Sequence, residues 1–377
     1  MGKNKKEKNC RLGRVGGQAV LEGIMMRSGE NVSLAVRCDD GSIAVENSKF
    51  VSVRKKHKIL DLPLIRGCVN MVEMLLMSYS TLERSAKMLG LDDFEEETKF
   101  DKWVKKTFGD KIMNIIMPIA AVLGVVLAIA LFVGIPVLVT KGIEHLAGVS
   151  LGWWKNLISG LIKITVFVIY MFLVSLMKDI RTTFEYHGAE HKTIACYEAG
   201  EELTPENAKK HTRFHARCGT SFIFVILIIS IFISSIVSWD LNPALMVLLR
   251  MCLLPVIVGI SFEFLMFAGK HPNAFTYALS YPGLLMQRIT TKEPNEKQLE
   301  VAIKAAKCAM PDEFPEEYAA VEAENAAKEA EENENTYAAE TDAPSEDAEA
   351  DGVESENSSA AESDTPVENA DQGADIQ

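Results

Sequence analysis

Four stretches of this chain stay apolar for longer than a buried helix of a soluble domain requires. Ile112 to Thr140 has Pro118 and Pro136 near its ends, and Asn156 to Met177 is broken only by Lys163. Thr220 to Trp239 carries no charge before Asp240, and Ala244 to Ala268 contains Arg250, Pro255 and Glu263. Each covers the ~20 residues that a helix needs to cross a ~30 Å hydrocarbon core, so the pattern predicts about four transmembrane helices.

The remaining pattern is that of a small polar domain. Val32 to Arg37 and Ile43 to Val45 flank Asp39-Asp40-Gly41-Ser42, a hairpin pattern, and Phe50 to Val53 offers another strand. Apolar positions then recur at Ile65, Val69, Val72, Leu76, Tyr79, Leu82 and Ala86. This stripe also holds charges, and it reads as an interfacial or core helix rather than a further span. After the fourth span, Tyr281-Pro282-Gly283 signals a turn and Glu296 to Lys307 a short amphipathic helix.

The expected fold is therefore an α-helical integral membrane protein with a small N-terminal α+β cytosolic region and a disordered C-terminal tail. Its parts would be a strand-bearing region at 1–62, an amphipathic helix and linker at 63–111, and spans one and two at 112–177. A histidine-rich cytoplasmic loop at 178–218, spans three and four at 219–268, a cytoplasmic segment at 269–311 and the tail at 312–377 would follow.

Charge divides the chain. Residues 1–310 hold 38 Lys/Arg against 29 Asp/Glu, whereas residues 311–377 hold one Lys against 23 Asp/Glu. The overall charge of −13 thus belongs to the tail, which lacks the branched apolar and aromatic residues needed to offset chain entropy. Basic residues also set an expected orientation. The segment before the first span carries 21 Lys/Arg, and Lys178, Arg181, Lys192, Lys209, Lys210, Arg213 and Arg217 lie between the second and third. Lys141 to Lys155 has two and Trp239 to Pro243 none, so both termini and the histidine loop should face the cytoplasm of a multi-pass inner or plasma membrane protein. The basic start has no apolar stretch behind it, so no signal peptide is expected. The 7 scattered cysteines suggest no disulfide framework.

Candidate chemistry concentrates in His187-Gly188-Ala189-Glu190-His191, an H-x-x-E-H pattern. On a helix the two imidazoles share one face, near enough to hold one ion, with Glu190 placed to take a proton from a bound water. His211 and His215 repeat the spacing, and Cys218 follows. His187, His191, His211 and His215 are thus expected as ligands of a divalent metal, Zn²⁺ by donor type, with Glu190 as general base. Glu185, Glu198, Cys218 and Glu263 are candidate supporting groups. Pro205 after Thr204 marks a new helix start, which would fold the second histidine pair back onto the first. Gly16, Gly17 and Gly23 lack the Gly-Lys-Ser/Thr ending of a phosphate loop and read as turn glycines.

Several of these segments resemble the bacterial YqhQ-like membrane proteins. The likeness is carried by Gly16-Gly17-Gln18-Ala19-Val20, Glu22-Gly23, Met25-Met26-Arg27, Pro63 with Arg66-Gly67, and Glu185 to His191. It continues through His215 to Phe222, Pro282-Gly283 and Gln287-Arg288-Ile289-Thr290-Thr291, and leaves the acidic tail outside. The resemblance implies an integral membrane protein with a suspected metal site and no settled reaction.

Competing functional readings follow. The first is a membrane-embedded metal-dependent enzyme, hydrolase-like, acting on a membrane-associated substrate. A scaffold or assembly factor for a protein partner, with a purely structural metal, is the alternative. A small transporter is the third, although spans with so few polar residues would need a homo-oligomer to line a pathway. The expected partners are the lipid bilayer and an unidentified membrane-associated substrate or protein, with a homo-oligomer as a further option. Nucleic acid is not expected, because no aromatic residues are interleaved with the basic ones.

Overall fold

The computed structural model describes residues 11–90, 113–148, 150–152, 154–215, 217–236, 243–271 and 273–327. Strands β1 (Val15–Val20), β2 (Gly23–Ser28), β3 (Asn31–Arg37) and β4 (Ile43–Lys49) form an antiparallel sheet in sequence order. The helices are α1 (Ile65–Met88), α2 (Met113–Ile129), α3 (Ile135–Ala147), α4 (Trp154–Val174), α5 (Lys178–Ala199) and α6 (Pro205–Lys210). They continue as α7 (Gly219–Ile236), α8 (Pro243–Lys270), α9 (Ala274–Thr290) and α10 (Glu296–Cys308), with α11 over 315–327.

The strand period of two sends side chains to opposite faces. Val15, Ile24, Met26, Ala35 and Val45 join a core with Tyr186, Ala189 and Ile194 of α5 and Leu299, Ala302 and Ala306 of α10. Val20, Met25, Val32, Leu34 and Val36 meet Met77 and Met88 of α1. The sheet is therefore covered on both sides, and its covering helices come from before, between and after the apolar segments. The expected β3–β4 hairpin is present, with Asp40 accepting from the Ser42 amide at 2.8 Å.

Several expectations are corrected. Gly16 and Gly17 lie within β1, where Gly17 stands opposite Met26. The strand expected at Phe50 to Val53 gives way to a 3-10 turn at Val53–Lys55, because Glu73 of α1 accepts from the Val53 amide and from Ser52 Oγ, removing a donor that a ladder would use. Pro282 and Gly283 lie inside α9, where the missing side chain of Gly283 lets α9 approach the Ser221 backbone of α7. Residues 178–218 begin with the 22-residue helix α5, so the H-x-x-E-H pattern is helical as its spacing predicts.

The acidic tail also starts later than residue 312. Val321 of α11 is buried, Asn325 donates to Val45 O at 3.0 Å, and Glu313 takes hydrogen bonds from Arg14 and Tyr197. Residues 328–377, for which disorder is expected, lie outside the described residues.

Among the described residues, three helical stretches are long and apolar enough to cross a membrane: Val122–Ala147, Trp154–Val174 and Met251–Ala268. A shorter apolar helix covers Gly219–Ser235, and residues 237–239 of the expected third span lie outside the described residues. The first stretch joins α2 to α3 through a π turn at Ala130–Gly134. Aromatic contacts tie the group together: Phe132 meets Tyr170 at 5.5 Å between centroids, and Phe167 meets Phe224 at 6.0 Å. Gly160 of α4 lets Ile231 of α7 come close, and Asn156 donates to Ser234 O at 2.9 Å.

Candidate functional site

Helix α5 carries the H-x-x-E-H pattern as buried structure. Tyr186, Ala189, Glu190, His191 and Lys192 are all buried, and Gly188 is the point of closest approach to the α9–α10 connection. A Cβ on Gly188 would stand 2.0 Å from Lys292 O, so only glycine admits this packing. The contact is fastened on either side by Lys292 N donating to Phe184 O at 2.8 Å and by the His187 ring bonding Thr290 O at 2.9 Å.

Both imidazoles have their tautomers set by backbone. His187 Nδ1 lies 2.9 Å from Thr290 O, and His191 Nδ1 lies 2.6 Å from Arg213 O. A carbonyl oxygen can only accept, so each Nδ1 carries a proton, and Nε2 is the atom each ring turns toward the site. His187 Nε2 sits 3.2 Å from Cys218 Sγ. One ligand atom from each of His187, His191 and Cys218 lies within 4.8 Å of the others. The helical spacing brings the two rings edge to face with centroids 4.5 Å apart, and His215 follows at 5.5 Å from His191.

The strand hairpin closes the site from another side. Gly17 of β1 faces Glu190, and a Cβ there would approach Glu190 Cγ to 3.2 Å and Met25 O to 2.6 Å. Glu190 is 5% exposed, and its Oε2 has no hydrogen-bond partner among the described residues. Burial raises the Glu190 pKa above the usual carboxylate value, against the pull of the facing histidines. Burial would likewise lower His187 and raise Cys218, but facing each other they reverse both tendencies. His187 rises to about 9, and the Cys218 thiol falls well below its ordinary value.

The loop bearing His215 and Cys218 is held by Gln287 of α9. Its amide accepts from His215 N at 2.8 Å and donates to His215 O at 2.7 Å and Ser221 Oγ at 2.9 Å. A fully buried glutamine thus pairs with loop backbone as a neighbouring strand would. Glu198 stands behind His215 at 3.9 Å, itself held by Arg217 and by Gly13 N at 2.7 Å.

The remaining expected site residues lie elsewhere. His211 caps the end of α6 and pairs with Glu201 at 3.1 Å, in a separate group with Cys196. The second histidine pair is therefore split, because α6 is only 6 residues long and His215 lies beyond it in the loop. Glu185 accepts from Gln298 of α10 at 3.1 Å and from Arg181 at 3.4 Å. Arg66 of α1 donates to both oxygens of Glu263 at 2.6 and 2.5 Å. Neither carboxylate belongs to the candidate ligand groups found among the described residues. Sequence spacing alone does not reveal Gln287, Gly17 or Gly188 as site-building residues. The available signal is a glutamine directly after the apolar run Leu284-Leu285-Met286 and a glycine, Gly188, inside a helical pattern.

A family profile described as "Protein of unknown function (DUF1385)" matches residues 62–312, two thirds of the chain. The chain belongs to this family. It is also 35% identical over 297 residues to "Uncharacterized protein YqhQ" of Bacillus subtilis (strain 168), covering 77% of this chain and 90% of that protein. No solved structure matches. The DUF1385 match includes α5, the His215–Cys218 loop and Gln287, so the ligand group and its clamp lie within family sequence. The β1–β2 hairpin that faces Glu190 lies before it.

Proposed function

We propose that this DUF1385 protein is a membrane-embedded, metal-dependent enzyme whose ion is held by His187, His191 and Cys218. The observation that carries the reading is the pair of backbone-locked imidazoles, which turn both Nε2 atoms toward one sulfur, donors to an ion that displaces the proton His187 shares with Cys218. Ligand histidines bind metal through one nitrogen while the other is anchored, and imidazole with thiolate suits Zn²⁺. The donor set and its spacing fit such an ion once the side chains close in on it. A divalent ion there supplies Lewis acidity toward water or a carbonyl or phosphoryl oxygen.

The chain's own residues do the rest. Glu190, buried with one oxygen unpartnered, is the group placed to accept and return a proton. His215, braced by Glu198 and by Gln287, adds a donor or a further ligand on the loop side. Thr290 O and Arg213 O keep the two rings from rotating. The expected setting is four spans in a bacterial plasma membrane, with termini and site cytoplasmic, as the basic segments suggest. A substrate presented by the membrane, lipid-linked or a membrane protein, suits a cysteine that immediately precedes the apolar helix α7.

A structural metal in a scaffold protein is the second reading, favoured by closure: His191 is 1% and Cys218 8% exposed. Cobalt substitution of the purified full chain separates these. Wild type should show a sulfur-to-cobalt charge-transfer band that Cys218→Ser abolishes. Glu190→Gln should keep the band and lose turnover in a screen of lipid-linked and peptide substrates. Turnover unchanged in Glu190→Gln would remove Glu190 as the base, and a cobalt band in wild type with no turnover would leave only the structural metal.

A further inference from the structure

Helix α1 shows two opposed faces, and among the described residues only one is covered. Its inner face holds Thr81 and Ser85, buried, and Met77 and Met88 against the sheet. On the opposite side Val72, Leu75, Leu76, Tyr79 and Leu82 are exposed by 45% to 72%. At ~100° per residue these five fall within roughly a third of the helix circumference, diametrically opposite the sheet-facing residues. An apolar stripe of that length on the surface of a protein marks a partner.

The structure says which partner. At its N-terminal end the helix is already seated on α8, one of the apolar stretches able to cross a membrane. Gly67 stands close to Gly259 and Phe262, Arg66 holds Glu263, and Cys68, on the same side as the stripe, donates to Pro255 O at 3.0 Å. Leu254, Val256, Met266 and Phe267 of α8 are themselves exposed. The stripe therefore continues an apolar surface that a span presents. The approach to α1 repeats the theme: Ile59, Leu62 and Leu64 are exposed, directly behind Arg54-Lys55-Lys56-His57-Lys58. A basic run followed by exposed apolar side chains and an amphipathic helix is the composition of a membrane-surface element.

We propose that residues 54–82 lie in the interfacial layer of the bilayer, with the α1 stripe among acyl chains and Lys56 and Lys58 against anionic lipid phosphates. The placement also reaches the candidate site. Gln18 of β1 receives Ser78 Oγ and donates to Thr81 Oγ1, and its neighbour Gly17 is the residue that faces Glu190. A helix held in the bilayer thus braces the strand that closes over the carboxylate.

The test is site-specific photocrosslinking of the full chain in nanodiscs of phosphatidylglycerol and phosphatidylcholine. Benzoylphenylalanine replaces Leu76 or Tyr79, with Val125, in a candidate span, as the lipid-facing reference and exposed Glu316 of α11 as the reference away from the stripe. Lipid adducts at 76 and 79 comparable to those at 125, and much weaker at 316, are expected. Lys56→Gln with Lys58→Gln should shift the adducts away from phosphatidylglycerol by several-fold. Adducts to a polypeptide at 76 and 79, including a second copy of this chain, would overturn the proposal. So would an absence of lipid adducts there while 125 retains them. Neither outcome bears on whether a metal binds.

Discussion

Gly188→Ala should damage this protein out of proportion to the single methyl group it adds. The new Cβ would lie 2.0 Å from Lys292 O, and contacts below 3.0 Å essentially never occur, so helix and connection must separate. The required retreat is about 1 Å in a close-packed region. Overpacking of this kind costs about 1–3 kcal/mol. The same movement strains the bond from Lys292 N to Phe184 O, worth about 1 kcal/mol more. A total of roughly 2–4 kcal/mol is expected, and the His187–Thr290 contact should loosen with it. Thermal unfolding of the detergent-solubilised full chain, with Gly16→Ala as the control, measures this. A Cβ on Gly16 meets nothing within 4 Å, so that variant should match wild type. A Gly188→Ala midpoint equal to the control's would refute the packing argument.

Other consequences are as direct. Gln287→Leu fills similar space but leaves the His215 N–H and C=O without their partner, which should cost about 1–3 kcal/mol and increase hydrogen exchange across residues 212–218. Ending the chain after Ala327 should leave folding unchanged. Ending it after Pro311 removes buried Val321 and the Glu313 contacts to Arg14 and Tyr197, for an expected loss of about 2–4 kcal/mol by thermal unfolding. Equal stability of the two truncations would show that α11 contributes nothing to the core.

Much of this architecture was legible because its signals are local. Two histidines four residues apart belong together only on a helix, and α5 is one. Thr204-Pro205 announced the start of α6, and Glu296 to Lys307 nearly coincides with α10. The β3–β4 hairpin followed from Asp39 to Ser42. The missed features depend on long-range packing. Gly17 pairs with Met26 in the sheet and is glycine because a methionine carbonyl and Glu190 crowd it, and a sequence gives no view of either neighbour. Pro282 sits within a helix despite its missing N–H, where Gly283 permits close contact with α7. The equal spacing of His211 and His215 suggested a second helical pair, yet a helix of 6 residues ends before the spacing can act.

Elemental analysis of the purified full chain tests the central claim most directly. Wild type should carry about one equivalent of a divalent metal, Zn²⁺ by donor type. The His187→Ala, His191→Ala double variant should carry none, and Glu190→Gln should retain it. His211→Ala should also retain it, because that ring lies in the separate group with Cys196 and Glu201. Equal metal content in wild type and the double variant, or none in either, would contradict the account.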